Sequence, residues 1–224
     1  MDISTKHLIK INFNHFTNIN SSFVLLYVLL VLGLKYSKSA TSLYYGLYNS
    51  SFVLLTYAYL NANELKNEFE NILCSIPIHR KSIVKSKYLT SLILVFLYSV
   101  ASFLLYYVFN ILGIGERGGN LYSFDHFIST IVVPLIFLSI YLPINLYLGR
   151  EKLVIFNTII PVIIMISPMF IKSFKVYYLF NYIINKYRLY VDNFWLNSIV
   201  SVFSVAIFYM SFTIGNYVYI NKDV

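Results

Sequence analysis

Charged residues are scarce in this sequence of 224 residues. Only 12% of the side chains are charged, whereas a soluble domain carries about 25%. The 17 basic and 9 acidic residues cannot cover the surface of a globule of this size, which argues against a soluble enzyme and against a disordered protein. The single cysteine, Cys74, excludes an internal disulfide and a metal site built from several cysteines.

Signatures of catalysis are also missing. No G-x-x-x-x-G-K-[ST] motif is present, so the chain has no P-loop for ATP phosphates. The four histidines have no second histidine or cysteine at metal-ligand spacing. The G-x-G-x-x-G match that begins at Gly113 falls in a predicted outer turn, not between a strand and a helix. We therefore expect no catalytic residue, no metal and no cofactor bound by this chain.

Hydrophobic residues make up 58% of the chain, and the mean hydropathy is +0.70. Six windows of spanning length, about 20 residues, contain no Asp, Glu, Lys or Arg. They are residues 16–34, 40–62, 88–115, 127–149, 153–171 and 193–221. The sequence thus predicts an all-α integral membrane protein in which residues 1–224 form one domain of six transmembrane helices. Pro134 and Pro143 predict a kinked or broken fourth span, and Pro161 and Pro168 an irregular fifth.

The distribution of basic residues predicts the orientation. Arg80, Lys81, Lys85 and Lys87 form the densest basic cluster, which we place at the cytoplasmic membrane interface as anchors. Both termini are then cytoplasmic, in a multi-pass protein of the cytoplasmic (inner or plasma) membrane. The formal charge of +8 fits anionic lipid head groups better than nucleic acid in so apolar a chain.

Two further segments are assigned from their composition. In residues 1–16 apolar side chains share one helical face and basic side chains share another, which predicts an interfacial amphipathic helix. The alternative is a frayed tail that leads into span 1. Residues 172–192, rich in aromatic residues, are predicted to be an outer hairpin lying at the interface.

The connection between spans 2 and 3, residues 63–87, is the most informative segment. Its apolar residues share one helical face, and its acidic residues share another. The apolar face comprises Leu65, Phe69, Ile72, Leu73 and Ile76. Pro77 ends this helix, and a second helix begins near Arg80 and continues into span 3. A short amphipathic helix on the inner membrane face suits a cytoplasmic partner that docks there, although many such segments are only solvated connectors.

This connection resembles the signature of the membrane subunits of type-2 ABC exporters, particularly the small six-span bacterial branch. The resemblance rests on Glu64, Phe69 and Glu70, then Ser75-Ile76-Pro77, Arg80-Lys81 and Ser86-Lys87-Tyr88-Leu89. Ile76 replaces the usual leucine, and Leu65 stands where a second acidic residue is common. The six-span layout also matches the family.

The resemblance implies a permease subunit that performs no catalysis. Two separate ABC-type ATPase subunits would hold ATP and Mg, and a second permease, identical or homologous, would complete the pore. The helix around Glu64–Ile76 would be a coupling helix that sits in a groove of the ATPase. The residues implied to bind the ATPase are Glu64, Glu68, Phe69, Glu70, Ile72, Leu73, Ser75 and Pro77.

The cargo is less constrained than the fold. An interior rich in Tyr and Phe favours export of an amphipathic molecule, a peptide or a lipid-like compound. The alternatives are a stand-alone membrane binding or immunity protein, and an ATP-independent transporter. The predicted spans contain almost no ionisable residue, which argues against a carrier driven by protons or sodium. Their asparagines either join helices or line a path.

Overall fold

The computed structural model describes residues 8–9, 21–36, 42–66, 79–113, 124–148, 150–173 and 193–221. Within these residues the chain forms six long helices. They are α1 (Ser21–Tyr36), α2 (Ser42–Lys66), α3 (Arg80–Ile111), α4 (Phe124–Tyr147), α5 (Arg150–Ser173) and α6 (Asn193–Ile220). Each predicted span corresponds to one helix. The prediction that a helix begins near Arg80 and continues into span 3 is confirmed by α3.

Three helical stretches among the described residues are long and apolar enough to cross a bilayer: α3, α4 and Asn197–Ile220 of α6. Shorter apolar stretches lie in α1 and α5, at Val24–Leu34 and Ile155–Ile164. The multi-pass, all-helical character of the described chain is therefore clear, and a count of six spans remains a prediction.

Helix α2 is less apolar for a structural reason. It packs against α4, α5, α3 and α1, and its polar side chains lie inside the bundle. Asn49, Ser50, Ser51 and Thr56 are all at most 2% exposed. A helix surrounded by protein can carry polar residues that a lipid-facing helix cannot, because neighbouring helices supply the hydrogen bonds.

Helix α4 is the second central element. It packs extensively against α2 and α6 and also contacts α3. The main apolar core lies around it and includes Leu138 and Leu142 from α4, Leu54 from α2, and Val84 and Leu94 from α3. These side chains are at most 1% exposed, so α2 and α4 hold the bundle together.

Of the two outcomes predicted for the fourth span, kinked or broken, the break is wrong. Helix α4 runs without interruption through Pro134 and Pro143. Proline lacks the N–H that would bond the carbonyl four residues earlier, which for Pro134 is the carbonyl of Thr130. That carbonyl instead accepts a hydrogen bond from Asn49 Nδ2 at 2.7 Å and another from Ser99 Oγ at 2.9 Å. Neighbouring helices thus replace the lost bond, and the helix continues. Helix α5 likewise contains Pro161 and Pro168 as a single helix.

Gly46 allows the backbones of α2 and α4 to come close together. A Cβ atom at this position would lie 2.6 Å from Val133 Cγ2 and 2.7 Å from the carbonyl oxygen of Ser129. Real Cβ atoms do not approach so closely, and a backbone oxygen cannot move aside as a flexible side chain can. A Cβ atom at Gly33 of α1, in contrast, would meet nothing within 4 Å.

We predict that Gly46→Ala destabilises the protein by about 1–3 kcal/mol, the usual cost of forcing extra volume into a packed core. Gly33→Ala is the matched control. It should change stability by less than about 1 kcal/mol, in the stabilising direction, because alanine has the higher helix propensity. Thermal unfolding of the two variants in detergent measures the difference. Equal midpoints for both variants would contradict the close approach of α2 and α4.

Candidate functional site

The candidate site is the end of the bundle where α2 ends and α3 begins. The guanidinium of Arg80, the first residue of α3, donates a hydrogen bond to the carbonyl oxygen of Ile220 at 3.0 Å. Ile220 is the last residue of α6, and the final carbonyls of a helix have no partner within it. Arg80 therefore caps α6 and complements the negative end of its helix dipole.

The N-terminal part of the chain lies at the same end. Leu8 is buried against Ile83 of α3, and Tyr219 of α6 packs on both. Three separate parts of the sequence thus meet where the connection 67–78 joins α2 to α3. The predicted interfacial helix at residues 1–16 is not tested beyond this contact, because only residues 8–9 of it are described.

Most of the predicted ATPase-binding residues lie outside the described residues. These are Glu68, Phe69, Glu70, Ile72, Leu73, Ser75 and Pro77. Glu64 falls in the last turn of α2, and its side chain is not described. The outer hairpin predicted at 172–192 also lies outside, apart from its first two residues at the end of α5.

The four predicted anchors differ from one another. Arg80, Lys81 and Lys85 are exposed on the first turns of α3. Lys87 departs from the expectation, because its side chain is only 9% exposed and lies among the helices. Helical spacing explains the difference: Lys87 shares a face with Val84, Ser91 and Leu94, all of which are buried.

Lys87 lies beside a group of hydrogen-bonded polar side chains. We call Asn61, Lys87, Tyr141, Asn145 and Asn157 the inner polar layer. Asn61 Nδ2 donates to Asn145 Oδ1 at 3.3 Å, and Asn145 Nδ2 donates to Asn157 Oδ1 at 2.9 Å. The Tyr141 hydroxyl donates to the same Asn157 oxygen, and the Lys87 ammonium interacts electrostatically with Tyr141. These hydrogen bonds join α2, α4 and α5.

A second polar group, the outer polar network, lies further along the bundle and comprises Tyr27, Asn49, Ser99, Ser102 and Thr130. Asn49 connects it, since its Nδ2 donates to Ser99 Oγ at 3.3 Å as well as to the Thr130 carbonyl. The Tyr27 hydroxyl lies 3.2 Å from Asn49 Oδ1 and also contacts Ser102 Oγ. Four helices, α1 to α4, are therefore joined by one buried set of hydrogen bonds.

The opposite end of α4 is held to α6 and α2. Asn197 Nδ2 donates to Asp125 Oδ1, which joins the first turns of α6 and α4. The His126 ring packs edge-on against Tyr45 of α2, with ring centroids 4.8 Å apart. Among the described residues, no three His, Cys, Asp or Glu side chains are grouped to hold a metal ion. The contacts of Asp125 and His126 join α4 to α6 and to α2.

A family model described as "ABC-2 family transporter protein" matches residues 7–219. The chain belongs to the ABC-2 transporter family. It is thus a multi-pass membrane protein and the permease of an ABC transporter, a class that associates with an ABC ATPase. No curated protein and no solved structure matches the chain.

Sequence reasoning missed the two polar groups of this ABC-2 permease. The periodicity of α3 would have placed Lys87 on the buried face, but the basic cluster around it favoured an interface position. Asn145 and Asn157 were recognised as polar residues within spans, and both prove to bond neighbouring helices. Asn49 carried no local signal of its role, because its side chain meets the carbonyl freed by Pro134 only in the folded bundle.

We predict that Asn49→Ala destabilises the permease by about 1–3 kcal/mol, because the buried Thr130 carbonyl and its neighbours lose a donor. The effect should be smaller in a Pro134→Ala background. An alanine in place of Pro134 restores the N–H that α4 itself can offer to Thr130, so the carbonyl no longer depends on Asn49 as strongly.

A double-mutant cycle on thermal stability in detergent measures this dependence. The coupling between the two positions should be roughly 1 kcal/mol. Asn110→Ala, at an exposed position near the end of α3, serves as the control and should show no coupling to Pro134→Ala. Additive effects of Asn49→Ala and Pro134→Ala would contradict the assigned role of the Thr130 carbonyl.

Proposed function

We propose that this chain is the permease of an ATP-driven exporter in the cytoplasmic membrane. Separate ABC ATPase subunits, two per transporter, would bind ATP and Mg and hydrolyse the nucleotide, while this chain binds no cofactor and catalyses no reaction. The region 63–77 would couple the ATPase subunits to the membrane helices of this chain. Family membership supports the permease role, and the arrangement of the bundle end supports the coupling role.

The observation that carries the coupling proposal is the convergence of chain segments at this end. The connection 67–78 leaves α2 and enters α3 at Arg80, which caps α6 at Ile220. Leu8 adds the N-terminal part to the same cluster. A partner that moved this connection would therefore act on α2, α3 and α6 together rather than on one loose loop.

Helix α3 is suited to carry such a movement along the bundle. It is a continuous helix of 32 residues that begins directly after the connection. The Tyr88 hydroxyl lies 2.8 Å from both the carbonyl oxygen and the Oγ of Ser211 on α6. At Gly215, one turn further on, α6 approaches the Tyr88 ring so closely that a Cβ atom would lie 2.8 Å from its hydroxyl. Displacement of α3 would thus displace α6.

The surface of α6 supports insertion in a membrane and assembly with a second permease, identical or homologous. Its exposed side chains are large and apolar or aromatic, with Val202 71%, Tyr209 67% and Tyr217 73% exposed. Such a surface is stable against lipid or another apolar helix and costly in water. An amphipathic cargo, a peptide or a lipid-like molecule, is the class that best suits a bundle with apolar faces and buried polar groups.

The coupling proposal is tested by charge reversal at the predicted docking helix. We expect Glu64→Lys combined with Glu68→Lys to abolish co-purification of an ABC ATPase with the tagged permease, because both positions would then repel basic groups on the ATPase. The measurement is the amount of ATPase recovered per permease after extraction in mild detergent.

Glu151→Lys is the matched control, since Glu151, the second residue of α5, is an acidic residue that the same topology also places on the cytoplasmic side. It should leave recovery unchanged. Equal recovery with the double variant and the control would reject region 63–77 as the docking element. A permease that elutes without any ATPase, in conditions that preserve a known exporter, would favour a stand-alone binding protein.

A further inference from the structure

One side of α3 carries two lysines near its beginning and apolar side chains further along. Lys81, Lys85, Leu92, Phe96 and Phe103 follow one another at alternating intervals of four and seven residues. Such intervals place side chains on the same side of a helix, because two turns take about seven residues. All five side chains are exposed. We call these five residues the α3 strip.

The charge of the α3 strip is entirely positive. Residues 79–113, which include the whole of α3, contain neither Asp nor Glu. Within the described part of the chain, no carboxylate forms an ion pair with Lys81 or Lys85. Both lysines lie in the first two turns of α3, where the positive end of the helix dipole adds to their charge. The beginning of the strip therefore attracts an anion.

The apolar part of the strip has the length of one bilayer leaflet. Lys85 and Phe96 are eleven residues apart in the same helix, which corresponds to about 16 Å at the usual rise per residue. Half of the hydrocarbon core of a bilayer is about 15 Å thick. When the lysines lie at the level of the head groups, Leu92 and Phe96 thus lie along the acyl chains of the same leaflet.

The strip also borders on the contact between α3 and α6. Tyr88, one turn before Leu92, is buried, and its ring packs edge-on against Phe208 and Phe212 of α6. At the same end of the bundle, Arg80 caps α6. A molecule bound along the strip would therefore lie beside the two contacts that hold α3 to α6, and it would stabilise the folded bundle to which it binds.

We propose that the α3 strip binds an anionic phospholipid, in the leaflet that the proposed topology makes the inner one. Lys81 and Lys85 donate to the phosphate oxygens of the head group, and an acyl chain lies along Leu92 and Phe96. A water-soluble protein would match the lysines but not the apolar residues, and another membrane helix would match only the apolar residues. Binding needs no ATPase, so it stands or falls separately from the proposed function.

Lipid contact at the strip can be measured by fluorescence on the full-length chain in bilayers. Trp195, the only tryptophan, is replaced by phenylalanine, and Leu92→Trp places a reporter on the strip. The bilayers mix phosphatidylglycerol with phosphatidylcholine, and bromine on the acyl chains of one or the other quenches the reporter where that lipid lies. We expect a preference for phosphatidylglycerol of about fivefold or more, because each basic residue near the surface adds about 1 kcal/mol of attraction.

Ile163→Trp in the same background is the matched control position. Ile163 is exposed and lies thirteen residues after the start of α5, while Leu92 lies twelve residues after the start of α3. Both reporters thus lie at a similar depth in the same leaflet. Helix α5 begins with Arg150-Glu151-Lys152, in which an acidic residue offsets one of the basic ones. The preference for phosphatidylglycerol should therefore be about fivefold lower at this position.

Charge variants decide whether the lysines of the strip cause the preference. Lys81→Gln combined with Lys85→Gln should lower the preference at Leu92→Trp to that of the control position. Lys152→Gln removes an exposed lysine from the first turn of α5 and should leave the preference at Leu92→Trp unchanged. All three lysines are exposed, so these variants remove charge without disturbing the core.

Three results would overturn the proposal. The first is an equal preference at Leu92→Trp and Ile163→Trp, which would mean that anionic lipid is attracted only by the overall charge. The second is a preference that survives the loss of both lysines. The third is the absence of quenching by either brominated lipid at Leu92→Trp, which would mean that protein covers the strip.

Thermal unfolding of the parent chain in neutral detergent gives an independent reading if the Trp195→Phe background does not fold. Dioleoyl phosphatidylglycerol should raise the midpoint more than dioleoyl phosphatidylcholine, which has the same acyl chains. The difference should disappear when Lys81→Gln and Lys85→Gln are combined and persist in Lys152→Gln. A difference of the same size in the double variant and in Lys152→Gln would reject the strip as the binding site.

Discussion

The carbonyl of Thr130 is the group on which much of this bundle depends. Pro134 deprives it of its partner within α4, and in an apolar interior an unpaired carbonyl is costly. Asn49 and Ser99 both donate to it, so α2 and α3 must lie against α4 at this level. The same Asn49 lies beside Tyr27 of α1. The missing N–H is thus compensated by side chains of two other helices, and the same network extends to α1.

The inner polar layer shows the same need for hydrogen-bond partners nearer the end of the bundle where α2 ends and α3 begins. Its members are amides, a phenol and a lysine, and each interhelical bond fixes the rotation of the helix that carries it. Individual bonds of this kind between membrane helices contribute little, about 0.6 kcal/mol on average. Their larger effect is geometric, because an amide that is turned away from its partner would face hydrocarbon. Polar contacts therefore set the register, and apolar packing around Leu138 and Leu142 supplies most of the contact area.

The sequence was sufficient to predict where the described helices lie along the chain, but not which side chains form contacts between them. Long stretches without charge predicted the bounds of the six described helices to within a few residues, with one exception. Helix α3 begins eight residues before the predicted span, at Arg80, where a helix start was predicted separately. The periodicity of α3 encodes the buried position of Lys87, but the basic residues around it favoured the membrane interface. The continuity of α4 at Pro134 depends on Asn49 and Ser99 from other helices, which local pattern does not encode. The motif between α2 and α3 indicated the family that residues 7–219 match.

The polar face of α2 also has a consequence for how the protein is made. Helix α2 is synthesised before α3 and α4, which accept the hydrogen bonds that the side-chain amides of Asn49 and Asn61 donate. When it first leaves the ribosome, its amides have no such partners, and its transfer into lipid is correspondingly unfavourable. Helices α3 and α4 stabilise α2 once they have been made, because they supply the hydrogen-bond partners that α2 lacks on its own. The least apolar of the six described helices is thus retained by helices made after it.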